Sequence, residues 1–193
     1  MNKSKLSDMY LNKKMSIKDI AHYFNCSTHK VSYWLDKHDI PIRSISEAIY
    51  VKNHPKGDPF ELVDPQNTGD GILFGLGLGL YWGEGTKADP SSVRLGNTDP
   101  ELLKKFMSFM QKFFKVKKDD FKFGLQLFND MSTGEALDFW VKKLRIKHSQ
   151  FYSPIVTKSG SIGTYRKKSR YGVLTVYYHN KKLRDILVNM LPM

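Results

Sequence analysis

The segment Gly75-Leu76-Gly77-Leu78-Gly79-Leu80-Tyr81-Trp82-Gly83-Glu84-Gly85 is apolar, studded with glycine, and ends abruptly in an acid. On a helix, residues four apart share a face, so Gly75, Gly79 and Gly83 form a bare stripe. Such a stripe lets a second backbone approach closely. A carboxylate at the C-terminal end of a helix lies beside the negative pole of the macrodipole, which is unfavourable. Glu84 therefore asks for a positive partner, and a divalent cation is the natural candidate. The apolar run Ile72–Trp82 is far shorter than the roughly 20 residues that a membrane-spanning helix needs.

Charge is spread unevenly along the chain. The formal net charge is +12. From Lys104 onward there are 19 Lys and Arg against 6 Asp and Glu, whereas residues 1–103 carry 12 basic and 13 acidic groups. A basic second half and a neutral first half point to two modules, and the excess charge points to a polyanionic partner. Cys26 is the sole cysteine, which excludes an intrachain disulfide and a cysteine-based zinc site. A polar, lysine-rich start without an apolar signal core fits a reducing, cytoplasmic compartment.

Residues 1–43 predict three short helices. Leu6, Met9 and Tyr10 begin an apolar stripe; Ser16 and Asp19 open a second helix that carries Ile17, Ile20, Ala21 and Phe24. Asn25-Cys26-Ser27 breaks it, because Asn tolerates the left-handed backbone of a tight turn. Ser27 caps a third helix that turns Val31, Trp34 and Leu35 inward. This pattern resembles a helix-turn-helix DNA-binding unit, over residues 1–52 once a short helix at 44–53 is added. The resemblance implies that the third helix enters the major groove of double-stranded DNA with Thr28, His29, Lys30, Ser32 and Tyr33 outward. Arg43, just past Pro41, is the expected arm residue on the DNA backbone or in the minor groove. A three-helix protein-interaction bundle is the alternative.

Prolines and glycines between His54 and Gly71 predict a linker over 53–70. Beyond it, the expected order over 71–193 is helix, two strands, helix, strand, helix, two strands, helix, an α+β arrangement. Asp99-Pro100-Glu101 starts one helix, with Asp99 as cap and Pro100 at its first position. Phe121–Phe128 alternates apolar residues with Lys122, Gly124 and Gln126, the pattern of a half-exposed strand. Ser132 and Glu135 cap a helix through Leu144, and Val173–Tyr178 is rich in strand formers.

This order, with GLGLYWGEG at its head and VRLGNTDPELLKKF after the second strand, resembles the LAGLIDADG homing endonuclease family. The family motif aligns from Gly77 to Gly85, with its acid-glycine pair on Glu84-Gly85 and its small helix-packing residue on Gly79. The resemblance implies an αββαββα domain with a curved antiparallel sheet that saddles DNA. It implies a homodimer joined along Gly75, Gly79 and Gly83, and Glu84 as catalytic metal ligand, with magnesium as the ion. Trp82 replaces the first acid of the motif and Glu replaces the more frequent Asp. A helix near 133–145 interrupts the second strand pair. The family also includes regulators that no longer cleave, some joined to a helix-turn-helix.

Three functions follow as expectations: a metal-dependent, site-specific DNA endonuclease; a non-cleaving transcription regulator built from the same parts; and an intron-RNA-binding protein. A nucleoid-associated location goes with the first two. Arg166, Lys167, Lys168 and Arg170 form a basic run suited to phosphates, or else a solvated loop. Lys122 and Gln126 are candidate base readers, or ordinary solvent-facing strand residues. Glu84 is alternatively no more than an exposed helix-end acid. Gly75-x-Gly77-x-Gly79 is not a dinucleotide fingerprint, since no strand precedes it and Leu80 stands where a third glycine is needed.

Overall fold

The computed structural model describes residues 1–159 and 169–192. It divides into two compact units, Met1–Pro59 and Phe60–Met193.

The first unit is helical. A short helix α1 (Lys3–Ser7) runs into a π-helical turn at Asp8–Asn12 and is followed by α2 (Ile17–Tyr23), α3 (Thr28–Lys37) and α4 (Ile45–Asn53). Ser16 and Asp19 close a reciprocal capping box on α2: the Asp19 N–H donates to Ser16 Oγ at 3.1 Å and the Ser16 N–H donates to Asp19 Oδ2 at 3.2 Å. Asn25 adopts φ +47° between α2 and α3, as its residue type favours. Ser27 then caps α3 through the Lys30 N–H. Leu6, Met9, Tyr10, Ile20, Ala21, Val31, Leu35 and Ile40 form the core. Small Ala21 lets α2 and α3 pack directly.

The second unit is a mixed α+β fold. It begins earlier than a linker over 53–70 allows. Phe60 is buried in its core, and the Glu61 and Val63 N–H groups donate to the Phe114 and Phe113 carbonyls. The elements are α5 (Thr68–Glu84), β1 (Val93–Asn97), α6 (Pro100–Phe114), β2 (Lys122–Phe128), α7 (Thr133–Leu144), β3 (Ile155–Thr157), β4 (Val173–Tyr178) and α8 (Lys181–Asn189). The sheet order is β1-β4-β2-β3. Two expectations need correction. Of the strand expected directly after α5, Gly85 alone bridges to Leu95, so the described residues hold a loop where a full hairpin partner was expected. Nor is the sheet purely antiparallel: β1–β4 and β4–β2 are, but β3 runs parallel to β2. The cause is α7. A helical crossover returns the chain to its starting end, so the next strand runs in the same direction.

One sheet face is covered. Val93, Leu95, Phe123, Leu125, Leu127, Leu174 and Val176 join the helices' apolar faces in a single core. α5 packs along α6. A Cβ on Gly77 would stand 2.1 Å from Phe109 Cγ, so only glycine fits there. Gly172, at φ +68°, is equally constrained, since a Cβ would stand 2.3 Å from the Gln126 carbonyl oxygen. Trp140 donates its indole N–H to the Tyr171 carbonyl at 2.8 Å, and Phe139 stacks on Tyr171.

Asn67 caps α5 by accepting from the Asp70 N–H, and Asp70 is ion-paired with Lys112 on α6. That hydrogen bond from Lys112, then the Gln66 N–H, holds the Asp70 carboxyl below its ordinary 3.8. A carboxyl depressed on folding stabilises above its unfolded pKa and loses that contribution as pH falls through the folded value. We expect Asp70→Asn to lower the urea midpoint at neutral pH. The difference from wild type should shrink below about pH 4. Gly77→Ala should cost about 1–3 kcal/mol by overpacking, whereas Gly134→Ala in α7, with open space around it, should stay within about 1 kcal/mol of wild type. Urea unfolding of both variants checks the contrast.

Candidate nucleic-acid interface

α3 turns Val31 and Leu35 into the core, and its opposite side faces solvent. Thr28, His29, Lys30 and Tyr33 are exposed there, with Ser32 half-buried. The Lys37 ammonium lies 5.0 Å from the Trp34 ring and 5.7 Å from Tyr33. The N-terminal half thus offers hydroxyls, an imidazole, a lysine and the positive end of the helix. These groups suit phosphate oxygens and base edges.

Arg43 is not free to act as an arm. Its guanidinium donates to the carbonyls of Tyr10, Lys14 and Met15 and lies 4.0 Å from the Tyr10 ring centroid. Its own N–H donates to the Tyr10 hydroxyl at 2.9 Å. Carbonyls left open where the first helical segment ends attract a cation, and the planar fork of Arg reaches several at once. Arg43 therefore ties the end of that segment to the chain that leaves α3.

α5 presents a free side. Gly71, Gly75, Gly79 and Gly83 have nothing within 4 Å of a built Cβ. Beside them Ile72, Leu76 and Trp82 are 68%, 42% and 51% exposed, so the stripe is apolar and uncovered within one subunit. Glu84 is exposed at its end. The helix end also holds a lysine: Lys87 Nζ donates to the Trp82 carbonyl at 2.5 Å and reaches the Tyr81 carbonyl at 3.5 Å. Magnesium asks for about six oxygen ligands in near-octahedral array. One carboxylate beside a lysine-bound helix end does not fit that ion within a single subunit. Among the described residues, no three His, Cys, Asp or Glu side chains gather into a metal-holding group.

The uncovered sheet face is organised by strand register. Arg94, Tyr177 and Lys122 lie in one row across β1, β4 and β2; Gly96, Thr175 and Gly124 form the next. Val173, Gln126 and Ile155 form a third across β4, β2 and β3. Lys122 is half-buried and Gln126 exposed, so both expected base readers lie on this face. Arg94 is ion-paired with Asp89 at 2.5 Å, and its guanidinium lies 5.3 Å from the Tyr177 centroid. The Tyr152 hydroxyl and His179 Nε2 are 2.6 Å apart. Partial burial, then the nearby Arg94 and Lys122 charges, push the His179 pKa below its ordinary 6.5, with Asp89 opposing. Those effects bias the ring toward its neutral form, and the hydrogen bond joins the phenol oxygen to Nε2. Arg94, Tyr152, Tyr177 and His179 were not among the expected contacts. The alternation of β4 could have placed Tyr177 opposite Lys122, but nothing local joins Tyr152 to His179.

Arg166, Lys167 and Lys168 lie outside the described residues. Arg170 is exposed, with its guanidinium 5.3 Å from the Tyr171 ring. Among the described residues, no helix is long and apolar enough to cross a membrane. Neither a protein-family model, nor a curated protein, nor a solved structure matches this chain.

Arg43→Ala should lower the stability of the first unit by about 2 kcal/mol, since charge-assisted bonds to three carbonyls are lost. Under conditions where the variant stays folded, duplex affinity should not change. Thermal unfolding and a DNA titration together check this; an intact fold with weakened binding would restore the arm role.

Proposed function

We propose that this chain is a duplex-DNA-binding regulator that works as a homodimer, a helix-turn-helix joined to a LAGLIDADG-like domain. What carries this reading is the free outer side of α3. Its opposite side is committed to the core, so Thr28, His29, Lys30, Ser32 and Tyr33 are available to a major groove. Lys30 addresses a guanine edge or a phosphate, and Thr28 and Ser32 address phosphates. Arg166, Lys167, Lys168 and Arg170 add backbone affinity from the second unit, and Lys122 and Gln126 address base edges. The bare stripe on α5 supports pairing with a second copy, which doubles the DNA-reading elements under two-fold symmetry.

Binding without cleavage is favoured over a magnesium-dependent nuclease by one observation. Lys87 already supplies positive charge to the helix end where the metal was expected. Pairing along the stripe would still bring two Glu84 carboxylates near one another, so cleavage is tested directly.

Selection from a random duplex library, with and without magnesium, is the decisive experiment. We expect enriched sites with two-fold symmetry, a steep loss of affinity with salt, and no cutting in magnesium. Lys30→Ala should weaken binding about 5- to 150-fold if it makes a good base contact. Gly79→Leu should yield monomers by sedimentation. Cutting that disappears in Glu84→Gln would replace the regulator reading with the nuclease one. No enriched site would overturn both.

A further inference from the structure

The uncovered sheet face carries a feature that duplex binding does not use. Tyr152, Tyr177 and His179 form one contiguous ring cluster. Tyr152 meets Tyr177 edge-on at 5.7 Å between centroids; Tyr177 and His179 lie within 15° of parallel at 5.9 Å; Tyr152 and His179 are 6.2 Å apart.

The cluster is held in place from below. Tyr177 lies over Gly124, where a Cβ would stand 3.0 Å from its Cε2, so the ring lies low against the sheet. Gly96, on the other side of Thr175, has the same lack of bulk. The Tyr152 N–H donates to the Phe123 carbonyl at 2.8 Å, which fixes that residue to the edge of β2. Its hydroxyl bond to His179 then locks two ring orientations together. Ordering is thus largely complete before any ligand arrives, which lowers the entropic cost of binding.

Its exposure and surroundings define the ligand. Tyr152 is 44% exposed and His179 is exposed as well. In the third row Val173 and Ile155 flank Gln126, and both are exposed apolar side chains. Lys122 stands beside Tyr177 in register and brings positive charge to the border of the rings, while Arg94, on the other side, is paired with Asp89. Flat aromatic surface edged by a lysine fits a planar, uncharged ring that carries an attached phosphate. An amide donor and acceptor at Gln126 lies within the same face. Bases in a duplex stack on one another and hide their faces, so this surface suits bases that are unpaired.

We propose that the Tyr152–Tyr177–His179 cluster is a stacking platform for unpaired bases of a nucleic-acid strand. Such a platform presupposes the nucleic-acid role proposed for the chain and adds a second substrate class to it. The strand can be a free single strand or an unpaired loop.

The test uses the full chain and mixed-sequence oligonucleotides bearing 2-aminopurine, as single-stranded DNA, single-stranded RNA and blunt duplex. Wild type should bind at least one of the single strands and change its fluorescence. The double variant Tyr152→Ala/His179→Ala should lose about tenfold or more in single-strand affinity, as removal of stacking partners does, while duplex affinity holds. Tyr152→Phe, which keeps the ring, should retain most of the single-strand binding. Near-ultraviolet circular dichroism confirms that each variant is folded. Duplex binding without single-strand binding, or a folded double variant that binds single strands like wild type, overturns the platform and leaves the duplex role standing. Failure to bind any of the three nucleic acids overturns both.

Discussion

The contact between α5 and α6 sets the rest of the second unit. At Gly77 the two helices come so close that the Phe109 ring occupies the space where a side chain would begin. Close approach brings Phe74 edge-on to Phe109 and Phe113, and lets Tyr81 stack parallel to Phe106. Because residues 77 and 79 lie about 200° apart around a helix of 3.6 residues per turn, burying Gly77 turns Gly79 and its four-residue relatives outward. One steric contact therefore creates both the core and the bare, outward stripe of glycines.

The sheet owes its open face to the same economy of layers. All the helices that bury apolar surface against it do so on the side of Leu95, Phe123 and Val176. α7 occupies the connection between β2 and β3, ties down the chain before β4 through Trp140, and forces the parallel edge. Alternate residues are left facing water, and register gathers basic and aromatic ones into adjacent rows. A layer with one covered face exposes the other, and here that face carries basic, aromatic and apolar side chains.

Much of the fold was legible in the chain. Caps at Ser16, Ser27, Asp99 and Ser132 mark helix starts within one residue, because a cap acts on backbone groups two or three positions away. Alternation exposed β2, and Val173–Tyr178 was recognisable as a strand. The site was legible only in part. The outward residues of α3 follow from helical periodicity and lie where expected. Arg43 looked like a free cation because its acceptors lie near Tyr10, 33 residues away. Lys87 folds back onto the carbonyls at the end of α5, a contact that no periodicity in the sequence announces.

By itself, then, the sequence determined where the capped helices begin, which residues each turns toward apolar surroundings, and that the second half is basic. Those properties depend on neighbours a few positions apart along the chain. Tertiary structure decided which glycine is crowded, which cations are already engaged, which way β3 runs, and that Tyr152 meets His179 across 27 residues. Each of these is a distance between groups far apart in sequence, and it takes a value only when the core closes and brings them together.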